Sequence, residues 1–160
     1  MTKKILAHAA QLVTCSGSKA KRGSDMNDLH IIEDGAVIIT DDMISAVGTT
    51  EELLPKAVGA EIIDCCGKAV LPGFVDSHTH FIFGGYRPLE FSWRLSGVSY
   101  MEIMKRGGGI NATTIPTRTA SLEQLKIDGK KRLSSMLSYG VTTVEGKSGY
   151  GLDADTEIKQ

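Results

Sequence analysis

Long apolar runs are missing from this chain. Nowhere in its 160 residues does hydrophobic sequence approach the ~18 residues that a membrane-crossing helix needs. Cysteine is scarce, with adjacent Cys65 and Cys66 and a distant Cys15. Three thiols build no disulfide framework, and without a Cys-x-x-Cys pair they build no cysteine metal site. They read as small buried apolar residues, reduced as in a cytosolic protein. Net charge is almost nil, a formal −1, which gives no support to nucleic acid or a membrane surface as partner. Lys3 and Lys4 open the chain, but the long apolar segment and small-residue cleavage site of a signal peptide do not follow. The expected location is the cytoplasm. What is present, 41% hydrophobic and 23% charged residues, is the composition of a soluble globular domain, long enough to bury a core.

Lys4 to Cys15 reads as one or two strands, and Ser16 to Asp28, with glycines and charges but no apolar run, reads as a loop. Ala36–Thr40 and Met43–Gly48, joined by Asp41-Asp42, read as a β-hairpin. Thr50 is placed to cap a short helix over Glu51 to Pro55 or Lys56, and Ala60 to Cys65 reads as another strand. Val70 to His80 is the next strand, followed by a loop from Phe81 to Gly97. Ser99-x-x-Glu102 and Ser121-x-x-Gln124 are capping-box sequences. The first opens a helix to about Arg106, ended by Gly107-Gly108-Gly109, with a second loop after it. The second opens a helix whose Leu122, Leu125, Leu133, Met136 and Leu137 share a face and which Gly140 stops. Val141–Glu145 reads as a strand, and Asp153 or Asp155 as the start of a last helix.

The chemistry concentrates after Lys68. His78 and His80 are two apart on a strand, so their imidazoles project to one side. Paired imidazoles on a rigid element suit a divalent metal such as zinc or iron. Asp76 shares that side by the same count and is placed to orient a ligand. Arg87 follows seven residues after His80, where a guanidinium can grip a carboxylate in a two-pronged pair. Tyr150 lies behind Gly146-Lys147-Ser148-Gly149. A phosphate loop is excluded there, because Val141 stands where its first glycine is required. Glu145 and Lys147 at the strand end are secondary candidates, and His8 and His30 read as structural or surface residues.

The stretch Pro72-Gly73-Phe74-Val75-Asp76-Ser77-His78-Thr79-His80 resembles the first barrel strand of the amidohydrolase superfamily. Phe83–Arg87, Arg106–Ile110, Thr117–Ser121 and Val144–Leu152, in this order and spacing, resemble the imidazolonepropionase family within it. The resemblance implies an α/β fold. Residues 1–67 would be part of a small β module, and residues 68–160 the first two β/α units of a metal-dependent (β/α)8 barrel. Such a barrel takes about 250 residues. Only some ninety follow Val70, so an incomplete barrel is expected, inactive alone. The resemblance further implies hydrolysis of a C–N bond in a cyclic amide, 4-imidazolone-5-propanoate. It implies one zinc or iron held by His78 and His80 with a later histidine and aspartate, Arg87 and Tyr150 as substrate contacts, and a homo-oligomer. The alternatives are another amidohydrolase, such as a deaminase, and a non-catalytic scaffold.

Overall fold

A computed structural model describes residues 2–160. The chain forms two compact units, Met1–Pro72 and Gly73–Gln160.

The first unit is a five-stranded sheet. β1 (Lys3–Val13) is its spine: it pairs antiparallel with β2 (Ile31–Thr40) and parallel with the short β4 (Glu61–Asp64) and β5 (Ala69–Val70). β3 (Met43–Thr49) completes the expected hairpin with β2. Asp41 takes the left-handed conformation the tight turn needs, with φ 52°. Alternation along β1 buries Ile5, Ala7 and Ala9. Ile5, Ala36, Ile38 and Leu53 form one core cluster, and Leu12, Val37 and Cys65 belong to another. The β1–β2 register breaks between Leu6 and Ala9. There His8 sits at φ 58°, donates its N–H to Thr50 Oγ1 at 2.9 Å and sets its ring 3.4 Å from Asp34. His8 is therefore a bulge residue.

Three expectations need correction in this unit. The cap of α1 (Thr50–Leu53) is Thr49, one residue earlier, in a reciprocal capping box with Glu52. Cys65 is buried, and burial pushes its thiol pKa up. Cys15 and Cys66, by contrast, are exposed and adopt positive φ, turn positions rather than core ones. Val70 does not start the histidine strand, because Ala69–Val70 pairs with β1 as β5.

The second unit pairs β6 (Phe74–Thr79) with β7 (Val141–Gly146) in parallel. Between them lie α2 (Pro88–Leu95), α3 (Tyr100–Lys105), α4 (Asn111–Thr119) and α5 (Leu122–Ser138), and α6 (Ala154–Lys159) follows β7. Ser99 and Ser121 cap α3 and α5 as expected, accepting from the N–H groups of Glu102 and Gln124. α2 and α4 lie within the two predicted loops, and residues 81–87 remain irregular. α2 starts with Pro88 in its first turn, where a missing N–H costs nothing. α4 is rich in threonine and contains Pro116. It returns its hydroxyls to its own backbone, Thr114 to Ile110 and Thr117 to Thr113, and buries Thr113, Thr114 and Thr117. α5 buries Leu125 on the predicted face, while Leu122 and Leu137 stay exposed.

Among the described residues no helix is long and apolar enough to cross a membrane.

Candidate metal centre

His78 lies at the C-terminal end of β6 and His80 is the first residue past it. The β6–β7 ladder slips there: Asp76 pairs with Val144 but Thr79 with Gly146, so β6 holds one residue more than β7. Asp76 is spent on this irregularity, its Oδ1 accepting the backbone N–H of His78 at 3.1 Å. It is not turned toward an imidazole, contrary to the role the spacing suggested. The rings of His78 and His80 nevertheless come together, centroids 5.3 Å apart and edge to face.

Tyr150 joins them. The loop after β7 brings its ring to 5.3 Å from His80 and 5.7 Å from Phe83. Gly149 makes this approach possible. It lies at φ 146°, and a Cβ there would sit 2.9 Å from His80 Cε1. The loop is tied from behind by Glu157, whose Oε1 accepts the N–H groups of Gly151 and Leu152 at 2.7 and 2.8 Å. Arg118 adds a bond to the Gly151 carbonyl at 2.7 Å.

His80 Nδ1 is buried and makes no hydrogen bond. Leaving such a nitrogen unpaired costs about 1–3 kcal/mol, and its lone pair is the donor a divalent cation uses. With His78 alongside, the residues fit part of a metal site: two imidazole donors at the end of β6. Among the described residues no cluster of three or more His, Cys, Asp or Glu is placed to hold a metal ion. The pair is thus an open half-site rather than a closed tetrahedral set. Glu145 and Lys147 flank it as an ion pair. The Lys147 ammonium hydrogen-bonded to Glu145, with His78 nearby, holds that carboxyl below the usual carboxylate range.

Arg87 lies elsewhere in the unit, as the residue before α2. Its Nη1 is 3.8 Å from Glu90 Oε2. It lines a cavity of about 340 Å3 with Tyr86, Glu90, Trp93, Arg106 and Gly108. Glu90 is buried, and its other oxygen accepts the Gly109 N–H at 2.7 Å. The triple glycine thus brings backbone onto a carboxylate: a Cβ at Gly108 would lie 2.9 Å from Glu90 Oε1. The structure groups His78, His80 and Tyr150, and sets Arg87 in this neighbouring cavity. Sequence reasoning missed Arg132, whose guanidinium carbon stands 3.7 Å over the Phe83 ring. Nothing local signals it, because its partners are about fifty positions away.

The amidohydrolase family model matches residues 61–120. The structure shares its fold with E. coli guanine deaminase, with a TM-score of 0.68 at 19% identity over 99% of this chain and 33% of the deaminase. The class is therefore the amidohydrolase fold: a β module followed by the opening β/α units of the barrel. The particular resemblance is to imidazolonepropionase. The chain is 54% identical to the Clostridium tetani enzyme of that name over 98% of its length, and 56% identical to that of Parabacteroides distasonis over 99%. It spans 38% and 39% of the length of these two relatives.

Proposed function

We propose that the full-length protein to which this chain corresponds is a metal-dependent hydrolase. It opens the ring of 4-imidazolone-5-propanoate by adding water across a C–N bond to give N-formimidoyl-L-glutamate. The observation that carries the reading is the cluster of His78, His80 and Tyr150, with an unpartnered His80 nitrogen at its centre.

His78 and His80 would hold the cation. A bound zinc or iron supplies Lewis acidity, making water a stronger nucleophile and polarising the ring carbonyl. The chain's own residues do the rest of the work assigned here. Tyr150 presents a hydroxyl-bearing ring against His80 and orients the ring substrate by hydrogen bonding. Arg87 offers its guanidinium to the propionate carboxylate. Glu90, with Oε2 3.8 Å from Arg87 Nη1, helps to hold that guanidinium at the cavity. Further ligands come from barrel strands outside these residues, so 160 residues alone would not turn over substrate. A homo-oligomer and a cytoplasmic location accompany this reading.

The rival reading is a nucleobase deaminase, favoured by the fold shared with guanine deaminase. The test assays the full-length enzyme against 4-imidazolone-5-propanoate and against guanine, with metal content measured in parallel. We expect turnover of the imidazolone only, with about one metal per active site that falls in His78→Ala and His80→Ala. Turnover of guanine alone would replace the reading. Metal content unchanged in both variants would remove the histidines from the site.

A further inference from the structure

We propose that Arg132 on α5 is the positioning residue that seats the β6–α2 loop and, through it, aligns Tyr150 and Arg87. The loop leaves β6 past His80 and runs as Phe81-Ile82-Phe83-Gly84-Gly85-Tyr86-Arg87. It is irregular backbone, so its polar groups need partners from outside. Arg132 Nη1 donates to the carbonyls of Phe81 at 2.8 Å and Phe83 at 3.0 Å. The intervening Ile82 carbonyl accepts from Gln160 Nε2 at 2.6 Å. The Gly84 N–H donates to the Thr117 hydroxyl at 2.9 Å. Four consecutive residues are thus fixed to α5, to Gln160 just past α6, and to α4.

The same guanidinium also organises the loop's side chains. Its carbon lies 3.7 Å over the Phe83 ring and 5.0 Å from the Tyr86 ring, whose hydroxyl accepts from Nε at 3.3 Å. Phe83 in turn meets Tyr150, and Tyr150 meets His80. Tyr86 borders the cavity that Arg87 lines. One side chain therefore touches both branches of the site. Gly129 lies one turn earlier on the same helix face. A Cβ there would sit 2.5 Å from Ile82 Cδ1, so the bare helix backbone is the floor on which the loop rests. Lysine cannot reproduce this arrangement. A point-charge ammonium could meet the two carbonyls that Nη1 bonds, but it has no separate Nε–H for the Tyr86 hydroxyl and no delocalised group to set against the Phe83 ring.

The kinetic part rests on the proposed hydrolase activity; the structural part does not. The test compares wild-type full-length enzyme with Arg132→Lys and Arg132→Ala by amide hydrogen exchange, metal content and steady-state kinetics on 4-imidazolone-5-propanoate. Arg132→Lys is expected to speed exchange across residues 81–87 at least ~10-fold while exchange across β1 and β2 is unchanged. Metal content should hold, KM should rise about 10-fold or more, and kcat should change less than about threefold. Should Arg132→Ala fail to fold, the lysine variant decides alone. Unchanged exchange across residues 81–87 would overturn the proposal. So would loss of metal and kcat together, the signature of general structural damage. A wild-type enzyme inert toward the imidazolone would defeat the functional reading, and the exchange arm would still decide whether Arg132 seats the loop.

Discussion

Asp153 anchors both ends of what holds the Tyr150 loop. As the N-cap of α6, its Oδ1 accepts the Thr156 N–H at 2.8 Å. Its Oδ2 lies 2.8 Å from Arg118 Nε, which also bonds the Gly151 carbonyl. The hydrogen bonds from Thr156, with Arg118 beside them, hold the Asp153 carboxyl below its ordinary range. Glu157 is held down as well, by the Ser148 hydroxyl and the N–H groups of Leu152 and Gly151. A carboxylate with a lowered folded-state pKa stabilises the fold fully above its ordinary value of about 4, and that contribution is lost as pH falls through the lowered value. The loop should therefore tighten above about pH 5 and loosen progressively below about pH 4. Amide exchange over residues 148–157, corrected for the intrinsic pH dependence, is the measurement. Asp153→Asn keeps an oxygen for the cap but loses the charge, so it should shrink the acid transition and leave the Glu157 part. Asp153→Ala should in addition lose the α6 cap and speed exchange of the Thr156 amide at neutral pH. An acid transition of full size in both variants would count against this assignment.

At the scale of elements, the join between α5 and β7 is the tightest piece of local engineering. Gly140 has φ 87° and donates its N–H to the Leu137 carbonyl at 2.9 Å, ending the helix. Its own carbonyl accepts the Phe74 N–H at 2.8 Å, so the same residue starts the pairing of β6 with β7. Gly140→Ala should destabilise the second unit by about 1 kcal/mol or more, since alanine pays for positive φ and its Cβ would stand 3.3 Å from the Phe74 ring. Faster amide exchange in β6 and β7, with β1 unchanged, is the expected readout; equal exchange in mutant and wild type would show that the turn absorbs a side chain freely. This join was legible in the sequence, as were the caps Ser99 and Ser121, because each signal sits within a few residues of what it controls. The His78–His80 pairing was legible for the same reason, although the slip in the β6–β7 ladder was not. α2 escaped because Arg87, ahead of it, offers no capping side chain. α4 escaped because a threonine-rich segment with an internal proline hides its helix until its hydroxyls find their own backbone. Arg132 and Glu90 could not be read at all, since their roles exist only once distant loops fold onto them.

On the scale of the whole molecule, the two units differ in how much of themselves they bury. The first has five strands around β1, and Ile5, Ala36, Ile38 and Leu53 are nearly inaccessible. The second has two strands, and Phe74 and Val75 on β6 remain 52% and 67% exposed. Leu137 and Tyr139 at the end of α5, and Ile158 on α6, are exposed as well. A two-stranded sheet is marginal in water unless other elements cover it, and its open edges carry unpaired N–H and C=O groups that template pairing with another chain. Apolar surface of this kind drives association. A 160-residue polypeptide of this sequence, prepared alone, should therefore self-associate, its sedimentation coefficient rising with concentration. Its β1 and β2 amides should stay protected while those of β6 and β7 exchange orders of magnitude faster. In a polypeptide of the relatives' length, where further barrel strands can cover β6 and β7, both sets should be protected. A monomer at every concentration, with β6 and β7 as slow to exchange as β1, would mean that the second unit is complete in itself, and the view of it as the opening of a larger barrel wall would have to be given up.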